Sequence, residues 1–112
     1  LPRLIGLHRA KELAFFADVI DAAEADRIGL VNRVVPHDSL LTEVAALAAR
    51  AAALPPVQVS LTKRLLNQSF SVSMSDALEF EDVAQVMNFQ SADTAEAVVA
   101  FVQKREPRFT GR

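Results

Sequence analysis

The chain has 112 residues, 51% of them hydrophobic, which is enough for one small domain with a core and too few for two. Its charged fraction is 23% and its net charge −2, which excludes the strong basic excess of a nucleic-acid binder. With no cysteine, disulfides and thiolate metal sites are excluded, and no apolar run approaches the length of a membrane span.

The order of basic, apolar and small residues that marks a secretory signal is missing from the start, so a cytoplasmic protein is expected. The chain opens on Leu1, with Pro2 and Gly6 close behind and no preceding element, so an excised segment is expected. Leu7 to Phe16 reads as a short helix, with Leu7, Ala10, Leu13 and Ala14 on one face. Asp21 reads as an N-cap, with Glu24 at capping-box spacing, and Gly29 ends the helix that begins at Ala22. Leu30 to Val35 carries Val31, Val34 and Val35 before Pro36 and is predicted to be the one short strand. Such a strand needs a partner for its backbone.

Ser39 to Ala53 is predicted as an amphipathic helix, with Leu40, Val44, Leu47 and Ala51 as its stripe. Leu54-Pro55-Pro56 punctuates the chain, and a proline opens a helix that runs to about Ser69. Ser73 or Ser75 caps a helix over 76–89, whose Leu78, Val83, Val86 and Met87 are expected to face inward. Asp93, with Glu96 three residues on, is expected to open the last helix, with Val98, Phe101 and Val102 as its stripe and Pro107 after its end. The fold class predicted is mostly α: five or six helices with one short strand.

No residue set reads as a reaction centre. The three glycines, Gly6, Gly29 and Gly111, are too scattered to cradle a phosphate. His8 and His37 have no acidic neighbour at ligand spacing, so neither a metal site nor a catalytic triad is expected. Glu12, Glu24, Glu79, Glu81 and Asp82 fall on helices among polar neighbours and read as solvated. From Asp76 to Glu96 there are six carboxylates and no Lys or Arg, and a basic segment follows with Lys104, Arg105, Arg108 and Arg112. That segment reads either as a helix end answering its own dipole or as an anion site. Phe101 lies one turn before Lys104 on the same helical face, where an aromatic ring and an ammonium could pack an adenine and contact a phosphate; Phe101 reads equally well as core.

The order and spacing of several stretches resemble one family. They are Leu1-Pro2-Arg3-Leu4-Ile5-Gly6, Ala10-Lys11-Glu12-Leu13, Ala22-Ala23-Glu24-Ala25, and Ile28-Gly29-Leu30-Val31-Asn32-Arg33-Val34-Val35-Pro36. Leu54-Pro55-Pro56, Leu61-Thr62-Lys63 and the run from Ala100 to Phe109 continue them. Together they resemble the enoyl-CoA hydratase/isomerase, or crotonase, superfamily along essentially the whole chain. The resemblance implies the helical C-terminal region of that fold, with residues 1–36 next to the core and 37–112 an assembly region. It implies an acyl-CoA substrate, coenzyme A entering as part of the substrate with no covalently bound cofactor, and a homo-oligomer, trimer or hexamer, with neither nucleic acid nor membrane as partner. The family's oxyanion hole and glutamates precede the matching region, so no catalytic residue is carried onto this chain. Two positions are carried over as coenzyme A contacts: Phe101 and Lys104. One departure stands out: Phe16-Ala17 replaces a Thr-Gly pair, which constrains the turn there. The alternative is a non-catalytic helical oligomerisation module.

Overall fold

The computed structural model describes all 112 residues, Leu1 to Arg112. Seven α-helices and one 3-10 turn make up its regular structure: α1 (Pro2–Ile5), α2 (Leu7–Phe16), α3 (Ala22–Arg27), the 3-10 turn His37–Ser39, α4 (Leu40–Ala52), α5 (Pro56–Gln68), α6 (Met74–Phe89) and α7 (Ala92–Gln103). The chain divides into two compact units, Leu1–Ala45 and Ala46–Arg112.

Local chemistry sets most element ends. Asp21 caps α3, its Oδ1 accepting the Glu24 N–H at 2.8 Å. Glu24 does not complete the capping box; its carboxylate takes both donors of the Arg27 fork one turn on. Pro56 opens α5 at its first turn, where a missing N–H costs nothing. Ser73 caps α6, its Oγ accepting the Asp76 N–H at 3.1 Å.

Three helices end on a left-handed residue. After α3, Gly29 (φ 76°) closes a paired turn: the Leu30 N–H donates to Ala25 O at 2.8 Å, and the Gly29 N–H to Asp26 O at 3.0 Å. After α2, Ala17 takes φ 54° and ψ 31°, the conformation that the missing glycine would have taken freely. The third is Lys104, after α7.

Residues 30–35 form no strand, which corrects the predicted fold: the chain is helical throughout its regular structure. Leu30 to Asn32 bend away from the α3 turn, and 33–36 run irregularly to the 3-10 turn. The valines supply β propensity but no partner. The Leu30 N–H is committed to the helix end, and no second segment offers a ladder.

In the first unit α1 packs on α2; in the second α5 packs on α6, and α6 on α7. The buried side chains are few and, Ile5 apart, the apolar ones are alanines: Ile5, Ala10 and Ala25 in the first unit, Ala84 and Ala100 in the second, with Asp93 the one buried charge. The stripes expected to face inward do not. Leu78, Val83, Val86 and Met87 on α6 are all more than half exposed, as are Val98, Phe101 and Val102 on α7. Periodicity picks out the apolar face correctly, yet nothing in the chain covers it. The accessible surface is 9260 Å². A monomeric domain of this mass exposes about 6,100 Å², and the same mass split into two independent domains about 7,300 Å². An excess on the order of 2,000 Å² on one chain exceeds the about 800 Å² that each partner of a standard protein–protein interface buries.

Candidate functional site

The predicted site residues lie at the C-terminal end of α7. That helix is capped by Ser91, not opened by Asp93: the Ser91 Oγ accepts the Thr94 N–H at 3.2 Å. Ser91 and Thr94 hydroxyls both donate to Asn88 O at the end of α6, at 2.8 and 2.6 Å. Freed from capping, Asp93 and Glu96 serve another purpose.

Past Gln103 the helix closes with the same paired turn as α3. The Arg105 N–H donates to Ala100 O at 3.1 Å and the Lys104 N–H to Phe101 O at 3.2 Å. Lys104 stands where α3 has its glycine, at φ 53° and ψ 42°. The expectation that Phe101 and Lys104 share a helical face is therefore corrected. The helix stops between them, and a reverse turn, not helical periodicity, sets their relation.

The turn sends the tail back along α7. Glu96 receives the Arg105 fork on both oxygens, at 2.6 and 2.8 Å, and the Arg108 N–H at 2.9 Å. The Arg105 hydrogen bonds, then the Arg108 N–H, hold the Glu96 carboxyl down to about 2, and Glu96 in turn raises the Arg105 guanidinium. Further on, Asp93 accepts the Thr110 N–H at 2.7 Å and hydroxyl at 3.3 Å on Oδ1, and the Gly111 N–H at 2.8 Å on Oδ2. The Ala92 N–H donates to Arg112 O at 2.6 Å. Asp93 is 2% exposed, so its charge is spent entirely on these donors.

Around this strap, Phe101 is 84% exposed and Lys104 is also exposed. No side-chain hydrogen bond or ion pair engages the Lys104 ammonium, whereas Arg105 is tied to Glu96. The turn thus carries an uncovered aromatic ring at Phe101 and an unpartnered cation at Lys104, linked by the backbone bond from the Lys104 N–H to Phe101 O. Sequence reasoning missed Asp93 and Glu96 as the groups that hold this region. The signal lay in an Asp-x-x-Glu pair followed by an arginine and a Thr-Gly tail.

Elsewhere, a groove of about 310 Å³ runs between α5 and α6, lined by Leu61, Leu65, Val72, Phe80 and Ala84 with Asn88 at its edge. His8 and His37 are exposed, and no group of three His, Asp or Glu side chains gathers in a metal-ligand arrangement. No single helix is long and apolar enough to cross a membrane.

Residues 1–112, the whole chain, match the family model described as enoyl-CoA hydratase/isomerase. The chain belongs to the enoyl-CoA hydratase/isomerase family. A probable enoyl-CoA hydratase of Mycobacterium bovis is 39% identical over 112 residues, covering 100% of this chain and 44% of the relative. A crotonyl-CoA hydratase of Syntrophomonas wolfei is 39% identical over the same length, 43% of its own. Among solved structures, an enoyl-CoA hydratase from Bacillus anthracis superposes with a TM-score of 0.95 at 35% identity, covering 99% of this chain and 43% of that one. One from Mycobacterium tuberculosis gives 0.94 at 34% identity, covering 100% of this chain and 44% of that one. The chain therefore spans less than half the length of the enoyl-CoA hydratases it matches.

Proposed function

We propose that this chain is the C-terminal helical part of an enzyme acting on acyl-CoA thioesters, of the enoyl-CoA hydratase/isomerase type. It supplies coenzyme A contacts and subunit contacts, and the groups that carry out the chemistry belong to the part of the family fold that it does not span. The observation that supports this reading best is the match of the family model to every residue of the chain.

Phe101 and Lys104 are the proposed coenzyme A contacts. An exposed phenyl ring is a stacking surface for a purine, and an unpaired ammonium three residues on is a point charge for a phosphate. Coenzyme A offers both on one molecule, and it enters as part of the substrate. Calorimetric titration of coenzyme A into the assembled protein tests this. Lys104→Glu is expected to weaken binding by about tenfold or more, since it replaces an attraction with a repulsion. Unchanged affinity removes the ligand role.

The excess surface supports a second reading, a helical assembly module without chemistry. The apolar faces of α4 and α6 would then be its contact surfaces. Loss of oligomer with full retention of coenzyme A binding in a Leu41→Glu variant separates assembly from ligand contact. A protein that assembles and binds no coenzyme A favours the second reading.

A further inference from the structure

We infer that Asp93 and Glu96 are positioning residues: together they lock the C-terminal strap that holds Lys104 in its left-handed turn, and so set the cation of the proposed anion contact. This rests on the coenzyme A reading of Lys104 above.

α3 and α7 close with the same pair of backbone hydrogen bonds, at nearly the same helix-end geometry. In α3 the left-handed position is Gly29, the residue that takes it without strain. In α7 it is a lysine, which pays a steric penalty there. A lysine at this position needs the surrounding structure to hold it.

The holding groups are the two carboxylates. Glu96 fixes the next residue, Arg105, by its fork, and then the Arg108 N–H. Asp93 fixes the strap farther on through the Thr110 and Gly111 N–H groups, and the Ala92 N–H reaches the Arg112 carbonyl. Lys104 thus sits between a helix end on one side and a strap fastened at four backbone points on the other. Glu96 has a second effect. By occupying the Arg105 guanidinium it leaves the neighbouring Lys104 as the unpaired charge at this turn, on a backbone position that the strap fixes.

Three variants separate these roles. Lys104→Gly keeps the turn and removes the charge; Glu96→Gln and Asp93→Asn keep the charge and loosen the strap. Amide hydrogen exchange of the chain reads the strap, and titration of the assembled protein with coenzyme A and with pantetheine, which lacks the nucleotide and its phosphates, reads the ligand contact. Glu96→Gln and Asp93→Asn are expected to speed exchange of the Arg108, Thr110 and Gly111 amides about tenfold or more, with the α5 amides unchanged. They are expected to weaken coenzyme A about three- to tenfold and leave pantetheine unchanged. Lys104→Gly keeps the amides protected and weakens coenzyme A about tenfold, and adding Glu96→Gln to it brings no further loss. If Lys104→Gly binds coenzyme A like the parent, the coenzyme A reading itself fails. If Lys104→Gly weakens binding but the carboxylate variants do not, that reading survives and the positioning role is overturned. Additive losses in the double variant, or equal losses for pantetheine, also overturn it.

Discussion

Replacing Asp93 with alanine removes an acceptor that is 2% exposed and serves three donors. Two of those bonds are short backbone contacts, at 2.7 and 2.8 Å, and the hydroxyl bond at 3.3 Å is weak. A hydrogen bond to a charged group contributes about 1.5–3 kcal/mol net. The released tail regains water, so the lower end applies to each backbone bond, and the loss is about 3 kcal/mol. Against the 5–15 kcal/mol typical of a domain this is a large fraction. In thermal unfolding the shift is on the order of 10–20 °C. Denaturant titration at unchanged slope measures it directly. Asp93→Asn keeps one acceptor oxygen but turns an N–H₂ toward a donor, so it is expected to lose at least about 1.5 kcal/mol. An alanine variant within about 0.5 kcal/mol of the parent, the range of an ordinary surface change, would refute the claim that this carboxylate holds the tail.

Ala17→Gly relieves a left-handed alanine, whose penalty of about 1–2 kcal/mol exceeds the extra unfolded freedom of glycine, so a net gain of about 0.5–1 kcal/mol is expected; a lower melting temperature contradicts it. Glu96 is held to about 2, faced by Arg105 and the Arg108 N–H, against an ordinary value of 4.5. Because the folded value is depressed, its contribution is complete above about 4.5 and is lost as pH falls toward 2. Glu96→Gln should flatten the acid limb of stability across that window, and an unaltered limb counts against the pairing. The chain alone should self-associate through its uncovered faces, with Leu41, 81% exposed on α4, among the groups buried. Sedimentation at micromolar concentration should show species above the monomer, reduced by Leu41→Glu; a clean monomer tells against it.

Where a helix end is written in adjacent residues, the sequence was readable. Asp21, Pro56 and Ser73 act within three positions of themselves, and each falls where its chemistry places it. The valines of 30–35 misled because propensity describes a strand's fitness and not the existence of its partner. The α6 stripe misled in a related way: a helical period identifies the apolar face and does not say whether the chain covers it. Asp93 and Glu96 were read as helix-start charges because their partners stand 9 to 18 positions away, at Arg105 to Gly111. Phe101 and Lys104 stood out first by their spacing and then by family resemblance. Helical spacing alone would have joined them on one face, and the left-handed Lys104 breaks that relation.

The most direct test is hydration of crotonyl-CoA, followed by loss of the enoyl thioester absorbance. It compares the 112-residue chain alone with the same chain joined to the preceding portion of an enoyl-CoA hydratase relative. The account predicts no turnover by the chain alone and turnover by the joined protein. Turnover by the chain alone would contradict the claim that the chemistry lies in the part of the family fold it does not span.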